Sequence, residues 1–488
     1  MQSRYWFWIA AAMCAGRIAV AATVDVTGPR QVSLHLYDTG RALAFELRQV
    51  TAPAGTVLLR VRDLPARIDP TTVSVTPAAG GAGIDILEQR FEHDLAESSR
   101  MLRRYLNRTV TVGQGAAAVE GRIIGLPDWK EPPRPSVPLV LSKTDGSVAA
   151  FFSPAEAARI HFPDGGAALV AAPTLLWRAR LAADGQQNFR LSYQFDGLTW
   201  RAFYDAVVRP DGGSARIMGR ILIENRSGGH FSDAAVTLLE TERGRSAGAP
   251  QSDEPAPQRY SYRIPQPREE RMIATLSPVQ SHALEQKVSL RDGEWVLLPL
   301  AASDSVPIRR FYVYDGVRFD RFQRNRRNDW NYGTEYHTTV DEHIEFENMG
   351  AVGLGVNFPQ GLIRLYQQRS DGSVDLVGEE VMAPVLSGGR GSVRVGPAVG
   401  LRGERERTGY VEIRPLHEYE ESFEIRLANE SDQPAEIRVV EHLYRWPDYE
   451  IVKADAEYQQ TGPQTIEFRA ELKPGGRRAI HYTVRYRW

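Results

Sequence analysis

A chain of 488 residues has room for several domains of ~100–200 residues, each with its own core. Hydrophobic residues make up 42% and charged residues 25%, which excludes a disordered chain and a helical membrane transporter. The 61 acidic and 59 basic residues leave a net charge of -2, which argues against a dedicated nucleic-acid binder.

Residues 1–22 read as a signal peptide, with Arg4 as the positive start, an apolar run from Tyr5 to Gly16 and Ala19-Val20-Ala21 as the small-x-small exit. Export to the periplasm or beyond is the expectation. The apolar run is shorter than the ~20 residues of a membrane-spanning helix, and no later run reaches that length, so no transmembrane helix is expected after signal removal. Cys14, the one cysteine, lies inside this segment, so the mature chain is expected to rely on its cores rather than on disulfides.

From there the dominant pattern is period-two alternation, the mark of half-buried strands. In Gln31–Tyr37, Val32, Leu34 and Leu36 share one face; in the next run Leu43, Phe45, Leu47 and, one slip later, Val50 read as the core face. Residues 23–92 are expected to form an N-terminal antiparallel β domain. A short helix follows at 93–108, with Asp94 capping Leu95–Leu106 and Leu95, Leu102, Tyr105 and Leu106 on one stripe. Residues 109–170 carry five short strands, a Pro-rich insertion at Pro127–Pro138 and the hairpin turn Asp145-Gly146, which suggests a small SH3-like or Sm-like barrel.

Residues 171–488 are read as β-sandwich, with strand signals every ~8–12 residues and no βαβ alternation. A Gly/Pro/Gln-rich linker or loop is expected at 244–259. The fold class is therefore all-β, several antiparallel sandwich or small-barrel domains in tandem with one short helix near 94–106.

Two segments of this region could carry chemistry. Residues 318–336 are read as a mobile Arg/Asn-rich loop, in which Arg321, Arg324, Arg326 and Arg327 precede Trp330. Guanidinium groups interleaved with aromatic rings grip phosphate, sulfate or carboxylate groups beside flat rings. Next, a strand over Tyr336–Phe346 would put His337, Asp341 and His343 on one face, a partial ligand set for a metal ion. The final strand alternates Tyr482, Val484, Tyr486 and Trp488, and is expected to anchor a soluble core.

Several motifs together resemble one family. Asp196-Gly197-Leu198-Thr199-Trp200-Arg201-Ala202-Phe203-Tyr204-Asp205 is similar to the core signature of the bacterial domain of unknown function 4139. In order come Ile223-Glu224-Asn225-Arg226-Ser227-Gly228, Phe231-Ser232-Asp233-Ala234, Tyr312-Val313-Tyr314-Asp315-Gly316, Asn429–Pro434 and Tyr482–Trp488. Tyr37–Arg41 and Ala66–Pro70 resemble segments that precede that domain. Longer relatives, including proteins described as mucoidy inhibitors, carry a coiled-coil stalk that this chain lacks. The resemblance implies a β fold and a cell-envelope location, and brings no reaction with it. In physical terms Asp196-Gly197 reads as a hairpin turn, and Trp200 and Tyr204 as core aromatics on one strand face. The functional expectation is a non-enzymatic binding or scaffolding protein of the envelope, with an envelope polysaccharide or protein as partner, no cofactor and no nucleic acid. The alternative is an envelope hydrolase acting on carbohydrate or peptide. Oligomeric state stays open.

Overall fold

The computed structural model describes residues 23–78, 83–93, 98–128, 137–163, 169–241, 278–317 and 329–487. The signal segment, the start of the expected helix, the linker at 244–259, Arg321, Arg324, Arg326, Arg327 and Trp488 lie outside the described residues. The chain is all-β, and no described helix is long and apolar enough to cross a membrane. It divides into two compact units: Met1–Thr199 with Glu224–Leu239 and Gln280–Trp295, and Trp200–Ile223 with Glu240–Val279 and Val296–Trp488.

The first unit holds three sheets. One has four strands in the order Thr23–Asp25, Gly55–Val61, Thr174–Leu181, Ile84–Glu92. A second runs Pro278–Ala283, Phe231–Thr241, Gln31–Tyr37, Arg41–Ala52, Gly185–Asp196, Ile68–Pro77, and Val288–Leu290 pairs with Phe231–Thr241 at its side. Strands Thr174–Leu181 and Gly185–Asp196 thus reach back across the expected boundary at 171 to pair with strands of 23–92. The third sheet is antiparallel and five-stranded, in the order Val148–Phe151, Leu139–Ser142, Val119–Gly125, Thr109–Val112, Ile160–His161. Its core takes Val110, Val112, Ile123, Leu139 and Leu141 from the strands. The helix, Ser98–Arg104 among the described residues, adds Leu102, and Tyr105 follows it into the same core. Leu106 does not join that stripe and is exposed; the chain turns away at Asn107, whose φ of 65° cannot continue a helix.

Two local expectations are corrected. Strand Arg41–Ala52 buries Ala42, Ala44, Glu46 and Arg48, and turns Leu43, Phe45 and Leu47 outward. Alternation locates two faces but does not say which is inside, and here buried Glu46 and Arg48 outrank the more apolar set. Gly197 does not close a hairpin either, because Gly185–Asp196 and Leu198–Val208 lie in different sheets. Its φ of 99° and the backbone of Arg226, 2.6 Å from where a Cβ would stand, still require glycine.

The large sheet of the second unit runs Val374–Met382, Gly361–Gln368, Leu198–Val208, Ser214–Asn225, Trp295–Tyr314, Thr339–Glu347, Arg390–Arg414, Glu418–Asn429, Arg477–Arg487, Tyr449–Ala454. Trp200 and Tyr204 are buried on one face of their strand, as the alternation predicts, and the Tyr204 hydroxyl donates to the Pro359 carbonyl at 2.8 Å. Ala435–His442 pairs parallel to Trp295–Tyr314 and antiparallel to Thr465–Leu472. The inward faces of these strands meet those of Glu418–Asn429 and Arg477–Arg487 in one core, where Phe423 and Phe468 lie 5.3 and 5.7 Å from Tyr482. Parallel pairs also join Phe231–Thr241 to Gln31–Tyr37 and Leu198–Val208 to Gly361–Gln368. The sheets other than the five-stranded one are therefore mixed rather than purely antiparallel, since alternation fixes a strand's faces but not the direction of a distant partner.

One corner occurs twice, once per unit. Asn225 and Asn429 end their strands, are buried, and each is followed at the second position by a serine. Each Oδ1 accepts from that serine's amide at 3.0 Å and from its hydroxyl, at 2.7 Å for Ser227 and 2.6 Å for Ser431. Each Nδ2 donates to the carbonyl four residues on, Gly229 or Gln433, and to a distant strand at Leu290 or Leu472. The Asn-x-Ser motif is thus a strand-ending corner in which both ends of the amide are hydrogen-bonded.

Candidate functional site

In the second unit, period-two alternation carries four charged residues into the core. Arg405 and Arg407 share the inward face of their strand with Leu401; Glu421 sits between inward Tyr419 and Phe423; Glu441 follows inward Ile437 and Val439. Burying such groups is tolerable only when they are paired and hydrogen-bonded. Arg405 Nε lies 3.0 and 2.9 Å from the two carboxylate oxygens of Glu441, which also accepts from the Tyr482 hydroxyl at 2.5 Å. Glu421 accepts from Arg407 at 3.0 Å, from Arg445 at 2.8 Å and from the Tyr444 hydroxyl at 2.6 Å. The Arg405 guanidinium also stands 3.9 Å over the Phe423 ring.

Each of the three guanidiniums also donates to one stretch of main chain, 329–333. Arg405 donates to the Gly333 carbonyl at 2.8 Å, Arg445 to Asp329 at 3.0 Å and Tyr332 at 3.4 Å, and Arg407 and Arg445 both to Trp330. The stretch is a turn by its own chemistry, since the Asp329 carboxylate accepts from the Asn331 amide at 3.0 Å. Gly333 has φ 78°, and a Cβ there would run into the Tyr444 ring; Tyr332 is buried edge-on against the same ring at 5.2 Å. Further along, the His337 carbonyl accepts from the Tyr314 hydroxyl at 2.9 Å, and the Thr338 carbonyl from the Gly403 amide. Where the sequence suggests a mobile loop, its described part is anchored by donors from three arginines.

Trp330 is the exception on this strapped segment. Its carbonyl is held, yet its side chain is 61% exposed, with the Arg407 guanidinium 5.3 Å from the ring centroid. A hydrophobic ring is thus fixed at the surface beside a guanidinium.

Burial alone would lower the Arg405 pKa, but Glu441 and the flanking tyrosines outweigh it and raise it; Arg445 is raised in the same way by Glu421. Burial lifts the Tyr444 and Tyr482 hydroxyls well above their usual value, and the neighbouring glutamates add to it. Tyr410, under both Arg407 and Arg445, is pushed up to about 12, chiefly by burial. The cluster therefore keeps Arg405 and Arg445 charged and the Tyr444 and Tyr482 hydroxyls neutral through the physiological range.

His337, Asp341 and His343 are not brought to one centre. The strand begins at Thr339, so His337 precedes it, and its ring packs edge-on to Tyr314 at 6.2 Å. Asp341 is buried and accepts from Arg394 at 2.9 Å. His343 stacks on Phe311 at 5.3 Å, and burial lowers its pKa. Among the described residues no group of three His, Asp or Glu side chains is placed to hold a metal ion. Another pair that sequence adjacency obscured does form across strands: His442 Nε2 lies 3.1 Å from the Asp315 carboxylate, while neighbouring Glu441 faces the opposite way into the core.

The buried glutamates and Arg445 are what sequence reasoning missed. The signal was present, since Glu441 falls on the inward register of Ile437 and Val439. The model of the family described as Domain of unknown function (DUF4139) matches residues 189–488, a span that contains this whole site. No curated protein matches the chain.

Proposed function

Since the chain belongs to the family of the domain of unknown function 4139, no reaction comes with its identity, and we propose that it is an exported, non-enzymatic binding protein of the cell envelope. In this reading it grips an acidic polymer through Trp330 and the arginines that precede it in sequence, Arg321, Arg324, Arg326 and Arg327. The observation that carries the proposal is the exposed Trp330 ring on a turn whose carbonyls are clamped by three buried guanidiniums. A ring with no ligand to meet gains nothing from being fixed in water, whereas a preorganised ring loses less entropy when it stacks. The four arginines lie within seven residues and repel one another unless anions relieve them. The start of the chain, Arg4 with an apolar run and Ala19-Val20-Ala21, supports export.

The test is a titration of the intact chain with an acidic polysaccharide at about 0.02 M and about 0.5 M salt, where exposed charges are screened over very different lengths. Binding should weaken with salt, and W330A and the fourfold Arg→Ser variant should each bind more weakly while keeping the native unfolding midpoint. Equal binding by all three proteins would refute the site. N-terminal sequencing of the envelope fraction tests export: a mature start near Ala22 or Thr23 is expected, and an intact Met1 on a cytoplasmic protein would refute it.

A further inference from the structure

The outward face of strand Arg41–Ala52, the one whose apolar residues the core does not use, forms the floor of a groove of about 1010 Å³ within the first unit. Cross-strand register sets its floor. In one row Ala235, Ser33, Phe45, Ser192 and Ser74 stand side by side on five neighbouring strands. Phe45, 41% exposed, is the one large side chain in that row, which spans about 19 Å at ~4.8 Å per strand. The ring stands between the short side chains of Ser33 and Ser192 on the neighbouring strands. His35 leans on it edge-on at 5.0 Å and is kept neutral by burial, which lowers its pKa.

The next row is Gln31, Leu47, Arg190 and Thr76. Arg190 is exposed there and makes no ion pair or hydrogen bond among the described residues. Arg30, at the groove's end, donates to the neutral Gln49 amide rather than to a carboxylate. Of the acids lining the groove, Glu46 is turned into the core toward Arg48 and Tyr193, and Asp233 is paired with Lys287 at 3.1 Å. Asn188 Oδ1, also in the lining, is buried with no hydrogen-bond partner among the described residues. The groove thus offers an aromatic platform, a line of hydroxyls, an unsatisfied acceptor and two guanidiniums lacking a carboxylate.

We propose that this groove binds an acidic oligosaccharide, with Phe45 stacking on a sugar ring and Arg190 and Arg30 taking its carboxylates. Guanidinium matches carboxylate in a two-pronged geometry, and the serine hydroxyls and Asn188 suit sugar hydroxyls. An acidic peptide fits less well, because the floor of the groove is a sheet face, whereas a peptide backbone pairs along a strand edge. The proposal goes beyond the Trp330 reading: Phe45 lies outside the matched residues 189–488, and the test leaves Trp330 out.

The experiment uses the intact W330A chain, so that a failure of the Trp330 reading does not enter. Calorimetric titration with hexagalacturonate should show saturable, salt-sensitive binding. In the same background F45A and R190Q should each weaken it about tenfold, the effect of losing one stacked ring or one charge-assisted pair, with the unfolding midpoint unchanged. Ser192→Trp, which fills the trough and leaves both groups in place, should abolish it and stands in should F45A unfold. Undiminished binding by these variants, equal binding of a neutral hexasaccharide, or tighter binding of a poly-aspartate peptide would each overturn the proposal.

Discussion

Each unit buries an arginine among a glutamate and a tyrosine, and the two arrangements do different things. In the first unit Arg48 Nε meets Glu46 at 2.6 Å, Glu46 accepts from the Tyr193 hydroxyl, and the guanidinium's other donors hold the carbonyls of Arg62 and Asp63. That is one arginine fixing one bend, where Asp63 has a positive φ of 59°. In the second unit Arg405, Arg407 and Arg445 fix the carbonyls of a single turn, and that turn carries an exposed ring. A buried ion pair is weak evidence for stability, because the desolvation it suffers offsets the attraction it gains. What both clusters supply is a rigid donor aimed at a loop. Tripling that device at Asp329–Gly333 is what sets the Trp330 turn apart as a site rather than a scaffold.

The largest effects test that distinction. Arg445→Ala leaves Glu421 buried with one cation fewer, and Arg48→Ala leaves Glu46 buried with none; each should cost about 3–5 kcal/mol in denaturant unfolding, the range for breaking a buried pair. Only Arg445→Ala should also change the fluorescence of Trp330, read as the difference from W330F in the same background. A change with Arg48→Ala, or none with Arg445→Ala, would break the comparison. Next in size is the doubled corner. Asn225→Ala and Asn429→Ala each orphan buried backbone groups and should each cost about 1–3 kcal/mol, by closely similar amounts. A large inequality would mean that the shared geometry does not carry shared energetics.

How much of this was legible in the sequence depended on what each pattern encodes. Alternation and turn residues were enough for an all-β chain, for Trp200 and Tyr204 in the core and for Tyr482, Val484 and Tyr486 on the inward face of the last described strand. The same alternation misassigned Leu43, Phe45 and Leu47, because burial there followed the Glu46–Arg48 ion pair, whose further partners, Tyr193 and the Arg62 and Asp63 carbonyls, come from other parts of the chain. Gly197 declared a tight backbone but not that it joins two sheets. Trp330 stood out as an aromatic in a polar stretch, while its clamp did not, since Arg405, Glu421, Glu441 and Arg445 come from three strands and a loop that only the fold brings together. His337, Asp341 and His343 show the reverse case, regular spacing that the start of the strand at Thr339 dissolves.

The smallest expected effect is a pH dependence, and it sets two histidines of the second unit against each other. The Asp315 carboxylate at 3.1 Å raises the pKa of His442 above 6.5, with burial opposing; Glu441 adds to the rise and Arg405 subtracts. Stability from this pair is therefore fully present below pH 6.5 and fades as the pH climbs through the raised value. His343 is the opposite case. Burial lowers its pKa, with Arg394 and Arg438 helping and Glu380 and Asp341 resisting. Its contribution is present above pH 6.5 and is lost as the pH falls through the lowered value. Unfolding free energies of the native chain, H442Q and H343Q between about pH 5 and 8, the range in which histidine titrates, separate the two. The native-minus-H442Q difference should shrink with rising pH, and the native-minus-H343Q difference should grow. A native-minus-H442Q difference that instead grew with pH would mean that the Asp315–His442 pair does not form in solution, and the strand of Glu441 would then lack its outward partner at the end next to the clamp.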